Sequence, residues 1–185
     1  MDKSEQRLFF VALLPPQSIQ DEVNQIKQYF ADRYASCKAF NSPPHVTLQP
    51  PFKWLTDNLE VLQDCLRAFA ACRPPVPVTL EGFGAFKPKV IYVNVLKTPE
   101  LMWLQKQLIA HTEASLAIVD PMAKSRPFAP HMTVAFRDLT RQNFKAAWPE
   151  FEHRQLHFQF TPPNLTLLIH DSNRWHVCAE FPFQS

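Results

Sequence analysis

The segment Pro44-His45-Val46-Thr47-Leu48 recurs as Pro130-His131-Met132-Thr133-Val134: proline, histidine, an apolar residue, threonine, and a second apolar residue. Side chains two apart in a β-strand share a face. Each copy therefore sets an imidazole beside a hydroxyl, about 7 Å apart along the strand. Val46 and Leu48, or Met132 and Val134, then turn towards a core. Imidazoles titrate near pH 6.5, so one of a pair can hold a proton while the other accepts one. Threonine hydroxyls can donate to anionic oxygens. These parts suit in-line opening of a phosphate ester, which needs a base for water on one side of phosphorus and an acid for the leaving oxygen on the other. No carboxylate shares either strand, so neither a metal nor a cofactor is expected. One His-x-Thr carries little weight; two copies with matched flanks carry the reading.

The elements that must position these residues follow from apolar spacing. Leu8 to Leu14 is a continuous apolar run closed by Pro15-Pro16, as in a buried strand. Ile19, Val23, Ile26 and Phe30 recur at helical spacing, and a loop from 36 to 44 leads into the first motif strand. After Pro50-Pro51, Thr56 or Asp57 is the expected cap of a helix whose apolar face is Leu59, Leu62, Leu66 and Phe69. A strand over 76–86, loosened by Gly82 and Gly84, completes the first half. The order then restarts. Residues 89–96 alternate as a strand, Thr98-Pro99-Glu100 opens a helix, and a loop over 121–130 delivers the second motif strand. A short helix at 141–148, a strand at 155–161 and a terminal hairpin around Asp171-Ser172-Asn173 end the chain. The repeated order predicts two pseudo-repeat lobes, about 8–86 and 89–161, with a hairpin over 164–181 and lobes that could exchange strands.

With 185 residues, 46% hydrophobic and 19% charged, the chain has the balance of one compact domain or two small lobes. A net charge of +2 falls short of a protein that binds polyanions by charge alone. Cys37, Cys65, Cys72 and Cys178 form no Cys-x-x-Cys pair and no zinc-finger spacing, so reduced, mostly buried thiols and a cytoplasmic location are expected. No leader-like segment opens the sequence and no apolar run approaches the ~18 residues of a membrane span. Eighteen prolines against two glycines leave the turns to Pro-Pro pairs at 15, 43, 50, 74 and 162.

The paired motifs resemble the two-histidine (2H) phosphoesterase superfamily, and within it the 2′-5′ RNA ligases or RNA 2′,3′-cyclic phosphodiesterases. The opening Leu8-Phe9-Phe10-Val11-Ala12-Leu13 with Pro15-Pro16 and the Phe128-Ala129-Pro130 approach are similar too. The resemblance implies an α+β, bilobal, pseudo-twofold fold whose antiparallel sheets line a central cleft, with helices outside. It implies a monomeric, metal-independent phosphodiesterase acting on RNA ends or nucleotide cyclic phosphates. His45 would donate the proton and His131 accept it, giving a 2′-phosphate; Thr47 and Thr133 would hold the phosphate oxygens. Ligation through a 2′-5′ bond is the reverse reaction. Many members carry an Arg five residues after the second histidine. Here that position is Phe136, with Arg137 next, and the first motif runs into Gln49-Pro50-Pro51-Phe52 in place of an aromatic-Leu-Gly stretch.

Among the remaining residues, Lys124 and Arg126 are candidates for holding further phosphates, Arg126 the better because a guanidinium forks onto phosphate. Phe10, Phe52 and Phe128 are candidates to stack on a base. His111, His153, His157, His170 and His176 read as ordinary surface or core histidines. Two alternatives stay open: a non-catalytic binder of nucleotides or RNA ends, and an enzyme of the same class acting on ADP-ribose cyclic phosphate or 2′-5′ oligonucleotides.

Overall fold

The structure, a computed structural model, describes residues 5–122 and 125–185. Lys124 lies outside the described residues. The elements run β1 (Gln6–Leu13), α1 (Gln17–Tyr34), β2 (Val46–Leu55), α2 (Leu59–Ala71), β3 (Val78–Phe86), β4 (Val90–Val95) and α3 (Pro99–Leu116). Then come β5 (His131–Ala135), α4 (Arg141–Phe151), β6 (His157–Phe160), β7 (Asn164–Asp171) and β8 (Arg174–Pro182). The fold is α+β. Two four-stranded antiparallel sheets have the orders β2-β1-β7-β8 and β5-β4-β3-β6.

A motif strand forms one edge of each sheet, and β2 and β5 touch each other. The sheets do not follow the two halves of the sequence. β3, from the first half, pairs with β4 and β6, while the terminal hairpin β7–β8 completes the sheet of β1 and β2. The helices cross over as well: α1 packs on β5 and α3 on β2. Val46, Leu48, Met132 and Val134 are buried, as alternation requires, in one apolar cluster drawn from both sheets.

Several local expectations need correcting. Pro50-Pro51 does not end the first motif strand; β2 runs through it to Leu55, and the register with β1 slips there. An edge strand tolerates this, because the proline nitrogens face no ladder partner and the bulge absorbs the extra residue. Neither Thr56 nor Asp57 caps α2. They form a 3₁₀ turn leading into it, and Asn58 at the cap makes no side-chain capping bond. Thr98 does cap α3, accepting from the Leu101 amide. The helix at 141–148 extends to Phe151, through Pro149. Gly82 has φ +65° at a bulge in β3, whereas Gly84 is required by a neighbour. A Cβ at position 84 would penetrate the ring of Tyr92. The four cysteines are free, but Cys37 and Cys72 are exposed and not buried. No helix among the described residues is long and apolar enough to cross a membrane.

Candidate active site

The two motif histidines are held alike. His45 Nδ1 lies 2.7 Å from the Pro43 carbonyl, and His131 Nδ1 lies 2.8 Å from the Ala129 carbonyl. A carbonyl only accepts, so each Nδ1 carries the proton and donates it, leaving Nε2 as the reactive nitrogen of both rings. Pro44 and Pro130 between ring and carbonyl are both buried, which keeps this local loop stiff. Each ring also rests on aromatic neighbours. Phe10 from β1 packs on His45 at 4.8 Å, and Phe86 and Tyr92 pack on His131 at 4.9 and 5.2 Å.

His45, Thr47 and Thr133 line a cleft of roughly 180 Å³ with Phe10, Asn41, Ser42, Arg137, His170 and Trp175. Among the described residues neither threonine hydroxyl is engaged in a hydrogen bond within the protein. His131 stands two residues before Thr133 on β5, behind Phe86 and Tyr92, and is not itself part of that lining. Two more spacious, shallower depressions lie beside Arg154 and His157. Neither is lined by a residue of the repeated His-x-Thr motifs, so the motifs select the smaller cleft.

Burial dominates the electrostatics. It pushes His45 down to about 4, against a partial lift from the Pro43 carbonyl, with Lys27 and His131 lowering it further. His131 is also lowered by burial, with the Ala129 carbonyl opposing. Both rings are thus neutral at pH 7 without a ligand, and each is positioned to gain a proton when an anion arrives. The half-buried Tyr92 hydroxyl is pushed up for the same reason.

Of the stacking candidates, Phe10 is in the cleft. Phe52 packs towards the core against Phe9, with centroids 6.3 Å apart, and Phe128 is half-buried on the core. Arg126 is exposed on the loop before β5 and does not line the cleft. The cation that does is Arg137. It sits at φ +59° in a tight turn closed by the Asp138 amide donating to the Phe136 carbonyl at 2.7 Å, with its guanidinium over the Phe136 ring. Asp138 fixes that turn to the other half of the molecule. Its carboxylate accepts from the Ser36 hydroxyl (2.9 Å) and from the amides of Cys37 (2.7 Å) and Lys38 (3.0 Å).

Sequence reasoning missed four contributors. His170 belongs to the cleft and is no ordinary surface histidine; it faces Trp175 across the β7–β8 hairpin at 4.8 Å, and Trp175 in turn packs on Phe10 at 4.6 Å. The expected terminal hairpin already brings His170 near Trp175; the pairing of β7 with β1, which local spacing does not show, sets them beside Phe10. Arg137 gave a signal by lying one position past the expected arginine. Tyr92 gave one through the glycine it needs opposite.

A family model for the 2′-5′ RNA ligase superfamily matches residues 15–174. A protein of Geobacillus kaustophilus named as a candidate phosphoesterase is 28% identical over 174 residues, covering 92% of this chain and 93% of its own length. A similarly named protein of Staphylococcus haemolyticus is 30% identical over 178 residues, covering 92% and 96%. Among solved structures, TT0787 of Thermus thermophilus superposes with a TM-score of 0.72 at 17% identity, over 96% of this chain and 98% of that one. Escherichia coli LigT in its apo form gives 0.70 at 16% identity, over 98% and 100%. These neighbours share the fold. With two His-x-Thr strands at facing sheet edges and a family match over most of its length, the chain belongs to the 2′-5′ RNA ligase superfamily of 2H phosphoesterases.

Proposed function

We propose that the protein is a metal-independent phosphodiesterase that opens RNA or nucleoside 2′,3′-cyclic phosphates to 2′-phosphates. The observation that carries this reading is the mirrored pair of histidines, each with Nδ1 on a carbonyl two residues back and Nε2 free. Binding alone would not need two such rings, which weighs against a non-catalytic role. The cyclic phosphate sits between the motif strands, its non-bridging oxygens taken by Thr47, Thr133 and Arg137. The nucleoside lies against Phe10, Trp175 and His170, which line only the His45 side of the cleft. LigT has been crystallised with 3′-AMP, consistent with a cleft of this fold accepting a nucleotide.

In this proposed orientation His45 is the acid and His131 the base. The leaving ribose oxygen is on the nucleoside side, next to His45. Water attacks phosphorus from the opposite side and gives its proton to His131 Nε2. The bond from phosphorus to O3′ breaks, and His45 Nε2–H delivers its proton to O3′, leaving a 2′-phosphate. With an RNA 5′-hydroxyl in place of water, the same steps form a 2′-5′ linkage. His45 must be charged for this. The anionic phosphate raises it from its low value in the empty cleft.

A panel of 2′,3′-cyclic AMP, GMP, CMP and UMP, ADP-ribose cyclic phosphate and 2′-5′ oligonucleotides, followed by ³¹P NMR, tests the proposal. The expected result is turnover of 2′,3′-cyclic nucleotides to 2′-phosphates, unaffected by chelator. Tight binding without turnover, or a 3′-phosphate product, would contradict it.

A further inference from the structure

Lys27 is the one charged side chain among the described residues that is buried, at 1% exposure. It stands on α1 in the stripe of Ile19, Val23 and Phe30, where an apolar residue would serve the core. Its ammonium donates to the carbonyls of Ala39 (2.9 Å) and Ser42 (3.0 Å). No carboxylate among the described residues is within ion-pair distance of it. A buried ammonium without a counter-charge is costly, and folding alone gives no reason to keep it.

The reason lies one carbonyl away. Ala39 and Ser42 line the cleft, and the same loop runs on to Pro43, whose carbonyl orients His45. The surrounding groups leave the charge unbalanced. His45 on β2 feels this charge, which adds to the lowering of its own titration, and the ring that the ammonium approaches is Phe40, 5.9 Å away. Of the nearby acids, Asp138 is committed to Ser36 and two amides, and Glu150 of α4 to the hydroxyls of Tyr29 and Tyr34. We propose that Lys27 is a positioning residue for the phosphate site: it pins the His45 loop from beneath and holds there a positive charge that only the bound anionic substrate neutralises. The proposal rests on reading the cleft as a phosphodiesterase site.

Its signature is a lysine whose protonation follows ligand binding. Burial lowers Lys27 to about 7, so near neutrality the empty protein holds the charge only in part. A phosphate in the cleft restores it, moving the titration up by about one pH unit or more. By linkage, a one-unit shift corresponds to about tenfold tighter binding to the charged form. The experiment titrates ¹³Cε-lysine and imidazole NMR signals of the full chain with and without saturating inorganic phosphate. Lys27 is recognised as the lysine titrating near 7 and assigned with Lys27→Met. Phosphate should move that titration upward, and Lys27→Met should bind phosphate about tenfold more weakly at pH 6. Phosphate that moves His45 or His131 but leaves Lys27 unmoved would overturn the role of Lys27 while the site stands. Phosphate that moves none of the three would overturn the reading of the cleft, and the role of Lys27 with it. The lysine titration is read on the wild-type chain, where through-bond correlation to the Lys27 backbone gives the assignment independently, so a misfolded Lys27→Met leaves the test intact.

Discussion

The pH dependence of turnover follows directly from the burial of the two histidines. The productive state holds one proton on the pair. In the empty cleft His45 is pushed down to about 4 and His131 is also held below its ordinary value. The second-order constant kcat/KM should therefore be bell-shaped, falling on the acid side near pH 4 and on the alkaline side below the usual histidine value of about 6.5. At pH 7.5 that alkaline limb leaves kcat/KM at least about tenfold under its maximum. At saturation the substrate anion favours imidazolium, so both limbs of kcat should move to higher pH. The limbs belong to the coupled pair and not to either ring. Initial rates on 2′,3′-cyclic AMP from pH 4 to 9 at constant ionic strength provide the assay, with a solvent isotope effect to show that chemistry limits. A kcat/KM optimum at or above pH 7, or a kcat profile lying below it in pH, would refute the reasoning.

Three substitutions test how the site is built. Gly84→Ala forces a methyl group into the ring of Tyr92 and so away from His131. It should cost about 1–3 kcal/mol in thermal unfolding and on the order of 10–100-fold in kcat/KM. Arg137→Gly relieves a left-handed backbone while deleting the cleft's guanidinium. Its melting temperature should hold or rise, whereas KM for the cyclic nucleotide should rise on the order of tenfold or more; an unchanged KM would exclude Arg137 from the phosphate. Asp138→Ala removes the acceptor for Ser36, Cys37 and Lys38 and should lower urea stability by about 1–3 kcal/mol, more than Ser36→Ala alone.

How far the sequence reaches depends on the range of each interaction. The two motif strands were legible because alternation is local: Val46, Thr47 and Leu48 announce their faces without any knowledge of partners. Helix α3 was legible from Thr98-Pro99-Glu100 for the same reason. The pairing of β3 with β6, and of the terminal hairpin with β1, was not, because strand partners that far apart in the chain leave no mark in local spacing. The site divides along the same line. His45, His131, Thr47 and Thr133 stand in a repeated pattern, while His170 and Trp175 reach the cleft only through that long-range pairing. Phe52 and Phe128 lie close to a motif in sequence, but packing turns them to the core. Lys27 sat in an apolar stripe in plain view, at the spacing of Ile19 and Val23, and its position was the signal.

The central claim is that His45 and His131 act as one acid–base unit across a single phosphate. Groups that act as a unit are non-additive: removing either leaves little for the other to do. Single-turnover hydrolysis of 2′,3′-cyclic AMP by the wild type, His45→Ala, His131→Ala and the double variant measures this directly. Each single variant should lose on the order of 10³-fold or more, and the double variant should be no slower than the slower single by more than a few-fold. A single variant within tenfold of the wild type, or losses that multiply in the double variant, would contradict the two-histidine account.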